Sequence, residues 1–139
     1  MTDNAIVFTL LETAGRLTRR LDSSLSMIKG ISFSEYQILA ALRDHPNAAA
    51  TRVDLSAKVG LSPSGVTRAL KPMEKLGFVE TTPDARDARK SLATLSPTGV
   101  ELVTDADGVI RDTLSTIDGL QTMTKADQST LADLLGRFS

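Results

Sequence analysis

The sequence predicts a mainly α fold with a small antiparallel β-hairpin, and three observations predict it. Apolar residues recur at spacings of three and four along most of the chain. Serine, threonine and glycine punctuate those stretches where helix caps belong. Only two short runs, residues 78–82 and 91–95, are rich in strand-forming side chains, and a polar loop separates them. Two such neighbouring runs pair antiparallel, which leaves no place for a parallel α/β sheet.

Each element follows in order. Residues 4–27 set Val7, Leu10, Ala14, Leu17 and Leu21 at alternating threes and fours, a coiled-coil-type stripe that Leu11 and Leu25 widen. Gly30 breaks it, and Ile31 and Phe33 follow. Ser34-Glu35-Tyr36-Gln37 reads as a capping box opening a second helix with Ile38, Leu39 and Leu42 inward; His45-Pro46-Asn47 ends it. Thr51 and Asp54 suggest another such start, for a short helix of Val53, Leu55, Ala57 and Val59 stopped at Gly60. Ser62 as cap and Pro63 at the first position open a fourth helix, with Val66, Leu70 and Met73 inward and Gly77 as its stop. Pro72 removes one backbone bond there and is expected to bend the helix. Ser96-Pro97 repeats the start for a long helix carrying Val100, Val103, Ile110, Leu114 and Ile117, softened at Gly108. Thr124 to Asp127 caps a last helix with Leu131, Leu134, Leu135 and Phe138.

Composition narrows the function. With 139 residues, the chain suits a single domain with one core. Aromatics make up only 4%, so that core must be aliphatic. No apolar run approaches the ~18 residues that cross a bilayer, and the N-terminal segment lacks the basic start of a signal peptide, so no membrane role and a cytoplasmic location are expected. There is no cysteine and a single histidine, His45, which reads as a loop residue; no cofactor and no metal site are expected. Asp105, Asp107 and Asp112 read as the wet side of a helix. Gly60 to Thr67 mimics phosphate-loop spacing, but Val66 stands where lysine is required. No nucleophile can be matched with the lone histidine, so no catalytic residue is expected and the chain is not read as an enzyme.

Charge is distributed more tellingly than its total of −1 suggests. Residues 1–51 are balanced, residues 52–90 carry eight basic groups against five acidic, and residues 91–139 carry three against seven. The basic middle holds the informative constellation. Two helices meet at the tight turn Val59-Gly60-Leu61-Ser62, and a hairpin follows at once, which is the grammar of a winged helix-turn-helix. The second helix exposes Ser64, Thr67, Arg68 and Lys71 on one face, with Ser62 and Gly65 at its start. Short hydroxyls and a glycine permit close approach to a DNA major groove, and an arginine there can bond guanine bidentately. The hairpin loop carries Arg86, Arg89 and Lys90, with Asp87 placed to orient the Arg89 guanidinium toward a narrow minor groove.

These residues resemble the MarR family of regulators. Leu55 to Arg68 resembles its helix-turn-helix, Met73 to Val79 the junction that follows, Asp87-Ala88-Arg89 its D-x-R wing, and Leu95-Ser96-Pro97-Thr98-Gly99 the L-[ST]-x-x-G after it. The resemblance implies a transcriptional regulator that binds double-stranded DNA, with a recognition helix near 62–76 and a minor-groove arginine at Arg89. It implies a homodimer built from both ends of the chain, commonly a repressor released by a small aromatic or anionic effector. On this reading residues 1–139 form one domain, with a winged-helix lobe at 30–96 and a helical dimerisation region at 1–29 and 97–139. The dimer contacts fall on Val7, Leu10, Ala14, Leu17, Ile110, Leu114, Ile117, Leu131, Leu134 and Leu135, because long amphipathic helices outside a compact lobe leave faces that seek a partner. Phe33 and Tyr36 lie where a ligand-pocket wall would form. Thr81 and Thr82 depart from the basic residues frequent in relatives, and Gly65 from a frequent threonine. The alternative is a winged-helix protein-interaction module without DNA binding.

Overall fold

The computed structural model describes residues 2–139. Seven α-helices, α1 (Asp3–Lys29), α2 (Phe33–Asp44), α3 (Arg52–Val59), α4 (Pro63–Lys75), α5 (Pro97–Leu114), α6 (Asp118–Gln121) and α7 (Lys125–Gly136), combine with strands β1 (Ala49–Thr51), β2 (Val79–Pro83) and β3 (Ser91–Leu95). The strands form one antiparallel sheet in the order β1-β3-β2.

Most helix starts follow from capping. Ser62 accepts the Gly65 N–H at 3.1 Å with Pro63 behind it, and Thr51 with Asp54 and Thr124 with Asp127 form reciprocal capping boxes. The box expected at Ser34 and Gln37 sits instead at Ser32 and Glu35: the Ser32 hydroxyl accepts the Glu35 N–H at 3.0 Å, and the Ser32 N–H donates to Glu35 Oε1 at 2.9 Å. Both serines fit the pattern, but only Ser32 has an ionised acceptor three residues on, and a carboxylate near a helix N-terminus outdoes an amide. Gly30, Gly60 and Gly77 all adopt positive φ, ending α1 and α3 and turning the chain after α4. α4 runs through Pro72 as one helix from Pro63 to Lys75, and α5 runs through Gly108.

Three elements depart from the sequence reading, one of them the four-residue α6, which it did not foresee. β1 lies in an Ala-Ala-Thr segment with almost no intrinsic strand preference; it exists because it pairs with β3, Ala50 opposite Ala93. The hairpin is therefore part of a three-stranded sheet. The helix expected to reach Ile117 stops at Leu114, where the Ser115 and Thr116 hydroxyls donate to the backbone carbonyls of Asp112 and Thr113 and compete with helix continuation.

The core is aliphatic. Leu25, Ile38, Leu39, Leu42, Leu55, Val66, Leu70, Met73, Val79 and Val103 are fully enclosed, and no aromatic joins them. Val53 and Val100, grouped by spacing with their helices' apolar faces, are exposed; Ala106 and Val109 are the enclosed members of α5 alongside Val103. One junction fixes the sheet to α5. The Ser96 hydroxyl caps α5 by accepting the Gly99 N–H at 3.0 Å, while its own proton is directed at the carbonyls of Gly77 and Phe78. The ends of the chain pack differently. α1 buries only Leu25, and α7 buries nothing.

Candidate nucleic-acid interface

The α4 face follows the spacing argument except at Thr67. Val66, Leu70 and Met73 face the core, while Ser62, Ser64, Arg68 and Lys71 are exposed and Gly65 and Thr67 half-buried. Two hydroxyls also hold structure. Ser62 is the α4 cap, and the Thr67 hydroxyl donates to the Pro63 carbonyl at 3.0 Å while accepting from Arg52 Nε at 3.0 Å. Ser64, Arg68 and Lys71 make no side-chain hydrogen bond or ion pair among the described residues.

The wing loop spans residues 84–90, closed by the Asp84 N–H on the Lys90 carbonyl at 2.9 Å. Asp87 organises it. Its Oδ1 accepts from both the backbone N–H and Nε of Arg89 at 3.1 Å, and its Oδ2 accepts from Nη2 at 3.3 Å. These bonds hold the Asp87 carboxyl below its ordinary range. Arg89 is thereby held in one direction while its side chain stays 90% exposed. Arg86 and Lys90 are exposed on the same loop, with the Arg86 N–H tied to Asp84 Oδ1 at 2.9 Å. Wing and α4 thus each present exposed cations, Arg86, Arg89 and Lys90 on the one and Arg68 and Lys71 on the other.

Phe33 and Tyr36 stack, with ring centroids 6.2 Å apart and planes at 17°. Tyr36 lines a groove of about 180 Å³ with Gln37, Ala40, Asp44 and Lys58; Phe33 does not. A larger cleft, about 390 Å³, lies between the C-terminus of α2 and α3, at Asp44, His45, Asp54 and Lys58, and contains neither ring.

Asp107 corrects the sequence reading. It is not on the wet side of α5 but half-buried against α2, where its Oδ1 accepts the Tyr36 hydroxyl at 2.6 Å and its Oδ2 the Arg43 guanidinium at 2.5 Å. Burial opposes its charge, but the bonds from Tyr36 and Arg43 prevail and hold the carboxyl below its ordinary range. Burial, with the Asp107 bond second, pushes the Tyr36 hydroxyl up to about 12. Asp107 therefore stabilises the fold above the ordinary carboxylate range, and that contribution is lost as pH falls through its lowered value. Asp107→Asn is expected to flatten the acid limb of a melting-temperature profile from pH 6 to pH 2.5, measured by circular dichroism. Asp105 pairs with Lys29 at 3.3 Å, and Asp112 stays exposed.

The dimerisation candidates divide by exposure. Val7, Ala14, Leu17, Leu131, Leu134 and Leu135 are exposed; Leu10, Ile110, Leu114 and Ile117 are half-buried. Phe8, Leu11 and Phe138 are further exposed apolar side chains at the two ends of the chain, at 57–62%. Among the described residues no helix is long and apolar enough to cross a membrane, and no cluster of three or more metal-ligating side chains occurs. The residues that sequence reasoning missed are Arg52, Arg43 and Asp107. Nothing in the local pattern marks them, since Arg52 meets Thr67, and Arg43 and Asp107 meet each other, only across the fold.

A family model described as MarR family matches residues 29–90. No curated protein matches the sequence. Among solved structures, Sco3205, a MarR family transcriptional regulator from Streptomyces coelicolor in complex with DNA, is 21% identical at a TM-score of 0.89, covering 99% of this chain and 87% of that one. A mutant of E. coli MarR complexed with operator DNA is 22% identical at a TM-score of 0.81, over 96% of this chain and 93% of that one. Bordetella bronchiseptica BpsR, described in terms of regulation of its DNA binding by 6-hydroxynicotinic acid, is 20% identical at 0.77, over 96% and 91%. The chain therefore has the winged-helix fold of MarR structures.

Proposed function

We propose that this protein, MarR-family in sequence over residues 29–90 and in fold over nearly its whole length, is a homodimeric, sequence-specific DNA-binding transcriptional regulator. The observation that carries the reading is the wing: Asp87 both closes its turn on the Arg89 backbone N–H and holds the Arg89 guanidinium, so an exposed cation is presented in a fixed direction. The outer face of α4 supplies the matching base-reading edge through exposed Ser64, Arg68 and Lys71 and half-buried Thr67, and Arg86 and Lys90 supply phosphate contacts. The test is fluorescence anisotropy against a duplex from upstream of its own gene beside a scrambled duplex, at two salt concentrations. Preference for the first, with log affinity falling by about 0.9 per neutralised phosphate per decade of salt, supports the reading. Equal, weak binding to both sinks it and favours a protein-interaction module.

Dimerisation rests on the apolar surfaces of α1 and α7, which the chain does not cover itself. A two-fold dimer requires half-sites about 10 base pairs apart or a multiple of that. Leu134→Glu, a charge placed in that surface, is expected to give a folded monomer by analytical ultracentrifugation that has lost most operator affinity. A dimer of unchanged stability would refute this placement. Repression with release by a small aromatic or anionic effector, at a wall that includes Phe33 and Tyr36, draws support from the ligand dependence described for BpsR and from the Tyr36 groove. A thermal-shift screen of aromatic carboxylates, repeated on Tyr36→Ala, tests it: a hit that survives the substitution removes Tyr36 from the site.

A further inference from the structure

Pairing of β1 with β3 sets Thr51 opposite Leu92, which brings the first residue of α3 beside the end of the wing loop. There Thr51, Arg52, Val53, Arg89, Lys90 and Ser91 line a cleft of about 240 Å³. Three of the six are cations and none is an acid. The Arg52 side chain is held from behind, its Nε donating to the Thr67 hydroxyl of α4. Its two terminal nitrogens have no hydrogen-bond partner among the described residues, and neither does the Lys90 amine. Asp87, the carboxylate nearest the wing cations along the chain, is committed to Arg89, and Asp54, two residues from Arg52, accepts the Thr51 N–H and lies beside His45. Arg52 and Lys90 form no ion pair among the described residues, and an anion between them turns their mutual repulsion into attraction. An arginine pinned through Nε keeps the planar edge that fits a phosphate.

We infer that this cleft binds one phosphate of the DNA backbone, with Arg52 as its fixed ligand and Lys90 closing over it from the wing, while Arg89 at the cleft's edge stays held by Asp87 for the groove. The inference rests on the DNA-binding reading and deepens it. Arg52 touches α4 through Thr67 and shares its cleft with the wing, so the clamped phosphate lies between the groove read by α4 and the groove entered by Arg89. One contact would then fix the register of both.

The test uses the full-length protein and operator duplexes in which single phosphates are replaced by neutral methylphosphonates. For the wild type, neutralising one phosphate per half-site weakens binding several-fold. In Arg52→Ala that same replacement has no further effect, and the salt slope falls by about one per cleft. Arg52→Gln separates this from a purely structural role, since it keeps a donor for Thr67 but no charge. Binding as weak as in Arg52→Ala supports the clamp, and recovery to the wild-type level overturns it. Phosphate effects identical in Arg52→Ala and wild type also overturn it, while leaving the DNA-binding reading intact. A wild type that prefers no duplex overturns that reading itself.

Discussion

Arg89→Ala is expected to weaken operator binding by about 10–100-fold, in line with the about 1–3 kcal/mol of a specific arginine contact, with no change in melting temperature. The side chain is 90% exposed and packs against no core residue, so its loss removes nothing from the fold. Its value lies in direction. A free arginine on a loop samples many rotamers and loses that freedom on binding; one already held by Asp87 through two nitrogens loses less. Asp87→Ala separates direction from charge. Removing a carboxylate from a surface that meets phosphates should tighten binding if net charge decides the outcome. If pre-orientation decides, binding weakens, by less than in Arg89→Ala because the cation remains. We expect weakening, since three bonds in Asp87 converge on one arginine. Anisotropy titrations of both variants at one salt concentration decide it, and tighter binding by Asp87→Ala would refute the pre-orientation account.

Gly99→Ala is expected to destabilise the protein by about 1–3 kcal/mol, the usual range for atoms forced into a filled core. A Cβ there would fall well inside contact distance of the Phe78 carbonyl oxygen and 2.7 Å from Leu95 Cδ1. Leu95 can turn aside, but the carbonyl cannot, because it accepts the Ser96 N–H and the Ser96 hydroxyl, each at 3.0 Å. Relief requires α5 to move off the β2 start and break the bonds that cap it. Gly108→Ala in the same helix is the control. Its Cβ would meet open space, and replacing a helical glycine gains up to about 1 kcal/mol. Chemical denaturation of the two variants should therefore shift in opposite directions. Equal shifts would show that helix propensity, not the Phe78 contact, governs Gly99. The L-[ST]-x-x-G pattern thus has a physical content: the serine caps α5 and the glycine lets that cap sit against the sheet.

Much of the interface was legible because it is local. A cap, a proline at the first helical position and a glycine stop are decided within four residues, so α3 and α4 follow from the sequence almost to the residue. The faces of α4 follow from its period, and the Asp87–Arg89 fork is a two-residue contact. The misread elements are those where local signals are silent or tied. Two serines competed for the α2 cap and the ionised partner decided between them. β1 has no propensity signature and exists through its pairing partner.

The sequence by itself therefore determined the order of the longer helices, the turn, the wing and the sign of the charge on each, because all of these are set by neighbours in the chain. Only the tertiary structure decided what those elements share. β1 beside β3 brings Arg52 to the wing, α5 against α2 turns Asp107 inward to Tyr36 and Arg43, and α1 and α7 are left with apolar faces uncovered. Contacts between residues dozens of positions apart depend on how whole elements pack, and packing is a property of surfaces that exist only once the chain has folded.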